Sequence, residues 1–354
     1  MIYTKSEQDL IVLNSFEALT AKEKRFLSED GSVDFAKNAP TLIKSLTERV
    51  YNNVKADFSD GEYRQKVLSA LEERGVKCLT LLSQGYPERL KKIPEPPLVL
   101  YCKGNTKLLE TRCFGVVGSR RTLPNILKEC QKISGELAKK FTVVSGLADG
   151  ADSAAIGGAI ESGKVISVLA YGFDYCYPAI NQTLMERLVK SGLVISEYPP
   201  ETQPRSFYFP QRNRIIAALS DGVLVVSAGK KSGALITADY AFGYSRRVFA
   251  FPYGLGVASG EGCNALIKIG AKLVENAADI YEALGESYEK EEKKVSLSDD
   301  EKSALQIIRE AGEAFAPEIA QKMGKQPFEI IATLSSLEIK RLVVRLGGNR
   351  YAAS

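Results

Sequence analysis

Histidine and tryptophan are both absent from the 354-residue chain. Without an imidazole there is no Ser-His or Cys-His couple, no imidazole general base and no His-ligated zinc. The six cysteines (Cys78, Cys102, Cys113, Cys130, Cys176, Cys263) stand singly, without a C-x-x-C pair. Several lie in apolar runs, the pattern of reduced, buried core thiols. No stretch approaches the ~18 apolar residues of a membrane span, and residues 1–19 lack a charged start followed by an apolar signal core. The expectation is a cytoplasmic protein with no membrane partner. What is present is ordinary for a globular chain: 45% apolar and 25% charged residues, in a length that predicts two or three domains at ~150 residues each. The net charge of +4 matters only through where the surplus sits.

The chain divides into four parts. Residues 1–75 are polar-rich, with Leu42, Leu46, Val50 and Val54 at a helical spacing, and predict a small helical domain. Tyr86-Pro87 and Pro94-Glu95-Pro96-Pro97 punctuate a connector, and Leu98–Tyr101 reads as a short strand. From Cys113 to Leu284, apolar runs at 114–117, 142–144, 165–169, 193–195, 223–226, 248–251 and 272–274 alternate with helical segments such as 125–140 and 182–190. Apolar strands separated by helices predict a parallel sheet covered on both faces, and the right-handed crossover makes it a Rossmann-like doubly wound α/β domain, residues 76–284 with its entry segment. Residues 285–297 are charged and aperiodic, a linker. Residues 298–354 open on a capping box, Ser298 with Glu301. Two further helices and a hairpin turning at Gly347-Gly348-Asn349 then predict a winged helix.

Ligands of an open parallel sheet gather at the carboxyl ends of its strands, and four loops there carry chemistry. Gly118-Ser119-Arg120-Arg121 offers a sharp turn, a hydroxyl and two guanidiniums, a set suited to phosphate. It is not G-x-G-x-x-G, and no acidic residue ends the second strand to hold a ribose, so no nicotinamide cofactor is expected. Ser145-Gly146 ends the second strand with small residues that permit close backbone approach, and Asp152 is placed to cap the next helix. In Phe207-Tyr208-Phe209-Pro210-Gln211-Arg212-Asn213-Arg214, three aromatics run into two arginines. From Arg205 to Lys231 five basic residues face one acidic residue, Asp221. Basic residues beside rings suit single-stranded nucleic acid: guanidiniums for phosphates, rings for unpaired bases. The competing arrangement pairs Arg212 and Arg214 with internal carboxylates and puts the aromatics in the core. Lys230-Lys231-Ser232-Gly233 has the look of a phosphate-binding turn, but the P-loop spacing is missing, so triphosphate hydrolysis is not expected. If Phe207 and Phe209 follow a strand-like alternation, both point the same way and Tyr208 the other.

Taken in order, these segments resemble the DprA/Smf family of DNA-processing proteins. The matching residues are Val117-Gly118-Ser119-Arg120, Ser145-Gly146-Leu147-Ala148, Tyr177-Pro178, Ser196-Glu197-Tyr198-Pro199, Phe209-Pro210-Gln211-Arg212-Asn213-Arg214, Ser232-Gly233 with Thr237-Ala238, and Gly262-Cys263-Asn264 with Gly270-Ala271. Upstream, Gly85-Tyr86-Pro87-Glu88-Arg89-Leu90 also fits, as does the stretch from Leu337 to Tyr351. The resemblance implies a Rossmann-like protein that binds single-stranded DNA, loads the RecA recombinase onto it during natural transformation, forms a homodimer through that domain, needs no cofactor and is not an enzyme. The chain departs from the family's pattern at Asp149, where Arg is usual, at Ile156-Gly157, where a His is usual, and at Ser227, where Glu is usual. A phosphoribohydrolase-like or nucleotide-binding enzyme on a related scaffold is the alternative, although Gly229-Lys230-Lys231-Ser232-Gly233 lacks a Glu close behind. A duplex-binding transcription factor is a third reading. From Leu297 onward eight basic residues balance eight acidic ones, without the basic surplus of duplex binders.

Overall fold

The apolar runs between Cys113 and Ala250 form strands because they are buried on both faces, as in Val165–Leu169, where all five residues are buried; the two-residue strand Lys272–Leu273 at the sheet edge is exposed. The structure, a computed structural model, describes residues 3–28, 32–35, 46–288, 297–340 and 342–353. It separates into two compact units, residues 1–288 and 289–354.

The first unit is built on a nine-stranded, mostly parallel sheet. Its strands are β1 (Lys77–Thr80), β2 (Val99–Gly104), β3 (Cys113–Gly118), β4 (Thr142–Ser145), β5 (Val165–Leu169), β6 (Leu193–Ser196), β7 (Gly222–Ser227), β8 (Arg247–Ala250) and β9 (Lys272–Leu273), in the order β1-β2-β6-β5-β4-β3-β7-β8-β9. The strands from β6 to β9 in that order pair in parallel. β1 and β2 add an antiparallel margin, with Lys77 opposite Cys102 and Tyr101 opposite Ser196. β1 was not read from the sequence: four residues are too few to show a period, and its pairing with β2 makes it a strand. From β3 the chain winds one way through β4, β5 and β6, then returns to β7 on β3's other side. The winding reverses between Gly118 and Ser227, the place where such sheets open a crevice.

The helices that bear on that crevice are α6 (Pro124–Leu137) after β3, α7 (Ala151–Ala159) after β4, α8 (Gln182–Ser191) before β6, α9 (Tyr208–Leu219) between β6 and β7, and α10 (Gly233–Gly243) after β7. Upstream lie α1 (Lys5–Ser15), α2 (Ala21–Leu27), α3 (Glu48–Ser59), α4 (Gly61–Glu73) and the short α5 (Glu88–Lys91). Capping boxes at Thr4 and Thr20 start the first two. The break expected at residue 75 does not divide two bodies. Leu10–Leu13 and Val54 share one apolar core with Tyr101 and Val194 of the sheet, and Asn14 donates to Tyr101 Oη (3.2 Å) and Glu197 O (3.0 Å). Helices this short bury too little apolar surface alone, so the sheet supplies the missing face. Of the predicted stripe, Val54 is buried, Leu46 and Val50 half-buried, and Leu42 lies outside the described residues. Farther on come α11 (Glu261–Lys268) and α12 (Ala277–Ala283).

Residues 289–296, most of the predicted linker, also lie outside the described residues. The second unit contains α13 (Asp299–Ala311), β10 (Glu313–Phe315), α14 (Ala316–Lys322), α15 (Ile331–Ile339), β11 (Val343–Leu346) and β12 (Arg350–Ala353). It holds three helices and a hairpin, the third helix beginning at Ile331. The strand β10, which pairs with β12, was not anticipated. Ala304, Ile308, Ile319, Leu334 and Leu337 form its core, and Ser298 Oγ accepts from Glu301 N at 3.2 Å while Ser298 N donates to Glu301 Oε2 at 2.7 Å. No described helix is long and apolar enough to cross a membrane.

Candidate nucleic-acid interface

The reversal point holds a pocket of about 500 Å³ lined by Gly118, Ser119, Arg120 and Arg121 from the turn after β3, by Asp152, by Ser206, Phe209, Arg212 and Asn213 around the start of α9, and by Ser232 and Gly233 at the start of α10. Three loops far apart in sequence thus converge as the doubly wound order requires. Gly118 is dictated by packing: a Cβ there would sit 2.6 Å from Ala151 Cβ and 2.8 Å from Val226 Cγ2. The turn is held by Ser119 N donating to Ser227 O (2.8 Å) and by Arg121 N donating to Ser119 Oγ (3.2 Å). Ser232 caps α10, its Oγ accepting from Ala234 N.

The arginines divide sharply by burial. Arg212 is 4% exposed and donates through Nη1 to Gly146 O (2.7 Å) and to Val168 O, and through Nε to Asn213 Oδ1. It ties the ends of β4 and β5 to α9. Burial pushes its pKa down, opposed by Asp152; burial likewise pushes the Asp152 carboxyl up, opposed by Arg212. Arg214 is 5% exposed, lies outside the pocket lining, and pairs with Glu197 at 2.6 Å. Burial alone would depress its guanidinium, but Glu197 reverses this and holds the pKa above the ordinary value. The expected phosphate contacts of Arg212 and Arg214 are therefore corrected: Arg214 has the internal carboxylate partner of the competing arrangement, and Arg212 is occupied by backbone carbonyls. Two further residues are corrected with them. Ser145 is fully buried and donates to Val116 O (2.7 Å), and Gly146 is the seat of Arg212, since a Cβ there would fall 2.1 Å from Nη1. Asn213 braces the pocket by donating to Gly233 O at 3.2 Å.

The exposed cations are Arg120, Arg121, Lys230 and Lys231. Arg120 lies 5.1 Å from the Phe209 ring centroid and 5.5 Å from that of Tyr177, and the two rings meet edge to face at 5.6 Å. Two ring faces hold the guanidinium in place, and among the described residues it is in no ion pair. Tyr177, 42% exposed, is a site residue that lies outside the four loops singled out from the sequence. Its value lies in Arg120, 57 positions earlier, which no local pattern reveals. Lys230 and Lys231 lie just before the α10 cap and do not line the pocket; Lys230 keeps a loose pair with Glu261 at 3.6 Å. Phe207 and Gln211 face away from the pocket. Helix α9 starts at Tyr208, so a 100° turn per residue replaces the strand-like alternation and separates Phe207 from Phe209.

Residues 77–285, more than half of the chain, match the family described as DNA recombination-mediator protein A. The chain belongs to the DNA recombination-mediator protein A family. Among relatives of this family, it is 41% identical over 224 residues to DNA processing protein DprA of Bacillus subtilis, covering 62% of this chain and 75% of that one. It is 32% identical over 295 residues to protein Smf of Escherichia coli, covering 78% of each. The fold is similar to the X-ray structure of DprA from Streptococcus pneumoniae, with a TM-score of 0.63 and 30% identity over 79% of this chain and 98% of that one. It is also similar to the Helicobacter pylori DprA structure, described for its unique single-stranded DNA binding mode, with a TM-score of 0.55 and 32% identity over 60% and 98% of the two chains. The family match ends at residue 285, so it takes in the whole pocket. Asp149, the departure from the family's usual Arg, is exposed and accepts from Gly150 N.

Proposed function

We propose that the chain binds single-stranded DNA without strong sequence preference in the pocket between β3 and β7 and loads the RecA recombinase onto it during natural transformation. It acts in the cytoplasm as a homodimer through the Rossmann-like domain, as a binding protein and not an enzyme. The observation that carries this reading is the Arg120 guanidinium laid across Tyr177 and Phe209 and, among the described residues, in no ion pair. A fixed cation flanked by rings meets a phosphate and its unpaired base together. The single-stranded DNA binding described for the Helicobacter pylori relative supports it. RecA loading and dimerisation rest on the family resemblance.

The test measures affinity of the full chain for an oligothymidylate and for blunt duplex of equal length across a salt series. Single strands should bind more tightly, and Arg120→Ala should flatten the log–log salt slope by roughly 0.7. Equal affinity for duplex, or an unchanged slope in the variant, overturns the assignment. Release of free base from a nucleoside monophosphate would favour the enzyme alternative. Faster RecA filament assembly on the strand when the chain is added tests the loading step.

A further inference from the structure

A second cleft, of about 470 Å³, opens on the far side of the segment that bounds the β3–β7 pocket. One wall is formed by residues of α1, α2 and their connection, including Glu17, Lys22, Lys24 and Arg25; the other by Tyr198, Arg205, Phe207 and Tyr208. The stretch from Pro204 to Phe209 is thus a ridge with two faces. Ser206 and Phe209 line the β3–β7 pocket, while Arg205, Phe207 and Tyr208 line the second cleft.

Its surface has the chemistry of a single-strand groove. Phe207, Tyr208 and Tyr198 form a run of rings with centroids 4.4 and 4.2 Å apart. Phe207, at its outer end, is 52% exposed, which leaves a ring free for stacking. Five cations and three carboxylates line the cleft. Arg25 is paired with Glu95 (3.0 Å) and Arg214 with Glu197 (2.6 Å), and Lys24 donates to Asn14 O (2.7 Å) at the floor. Lys22 and Arg205 are exposed and, among the described residues, in no ion pair. Glu17 is the remaining carboxylate of the lining. Eight of the 19 residues of this lining come from residues 14–25, outside the matched family segment.

We propose that this cleft is a second nucleic-acid subsite, in which Phe207 stacks a base while Lys22 and Arg205 hold the flanking phosphates of a strand that crosses the 204–209 ridge from the β3–β7 pocket. The inference rests on the reading of that pocket as a single-stranded DNA site. It makes the N-terminal helices part of the binding surface and ties the footprint to strand length. A short strand fills only the pocket, and a longer one reaches both sites.

The experiment compares oligothymidylates of about 6 and about 20 nucleotides, within and beyond the usual span of a single-strand groove, by fluorescence anisotropy with the full chain. Phe207→Ala should weaken the long strand roughly 5- to 150-fold, as loss of one stacked base does, and leave the short one unchanged. Lys22→Gln with Arg205→Gln should lower the salt slope of the long strand by about 1.4, twice the single-phosphate value, again sparing the short one. All three positions are exposed, and unchanged thermal unfolding verifies that the variants fold. If Arg120→Ala weakens both lengths while the cleft variants alter neither, the subsite is refuted and the pocket stands. If Arg120→Ala alters neither length, the pocket reading falls and this inference with it.

Discussion

Replacing Arg212 by Met removes the guanidinium while keeping most of its volume, and the structure predicts a stability defect, not a binding defect. The side chain is 4% exposed, and its Nη1 and Nε are taken by Gly146 O, Val168 O and Asn213 Oδ1. Without it two buried carbonyls lose their partner, and Asp152, also buried, loses the charge that opposes its desolvation. Removing one member of a buried charged network costs about 3–5 kcal/mol, or roughly 6–20 °C in melting temperature at ~2–4 °C per kcal/mol. The Asp152 carboxyl is already pushed above its ordinary range by burial, and losing Arg212 pushes it further. A group whose folded pKa is raised favours the folded state while protonated, so the deficit against wild type should shrink as the pH falls towards the ordinary carboxylate range. Adding Asp152→Asn should restore part of the loss, a coupling that a double-mutant cycle reads directly. Thermal unfolding at neutral and mildly acidic pH, with DNA affinity across a salt series below the melting transition, makes the test. A variant that melts like wild type yet loses about 0.7 of salt slope would show that Arg212 meets phosphate and refute the reasoning.

Three further outcomes follow from other buried groups. Gly146→Ala places a Cβ 2.1 Å from Arg212 Nη1, so it should cost on the order of 1–3 kcal/mol by overpacking, read as a lower denaturant midpoint. Lys24 is held down to about 8 by burial, so between pH 8 and 10.5 the unfolded chain binds the extra proton and stability gained with rising pH should be missing in Lys24→Met. The wild-type-minus-variant difference should change by roughly 3 kcal/mol across that window, and a flat difference in urea unfolding would contradict the burial. In the second unit the Lys340 ammonium, with Ser336 Oγ and Ser298 N, draws the Glu301 carboxyl down to about 2. Its contribution is present above the ordinary 4.5 and lost as the pH falls towards 2, so amide protection in α13, corrected for the intrinsic exchange rate at each pH, should fall over that window in wild type but not in Glu301→Gln.

Much was decided by the sequence alone, because the relevant signals are local. Continuous apolar runs with intervening helical periods named the strands from β3 to β9 within about a residue, since strands buried on both faces, as β3 to β8 largely are, carry few polar residues. The Ser298 capping box likewise started α13 where it was read. The turns at Gly118-Ser119 and Ser232-Gly233 were found because strand ends on a doubly wound sheet share one crevice by topology. What the sequence could not supply is the destination of each side chain. Five basic residues between Arg205 and Lys231 look alike in one dimension; in the fold, two of them are sealed inside by Glu197 and by the carbonyls of Gly146 and Val168. The exposed cation seated on rings in the pocket is Arg120, placed there by Tyr177 and Phe209, from two other loops. Phe207 and Phe209 part company because a helix begins between them. Burial and partnership are long-range properties, fixed only when distant segments pack together, and they determine which charges remain for a ligand.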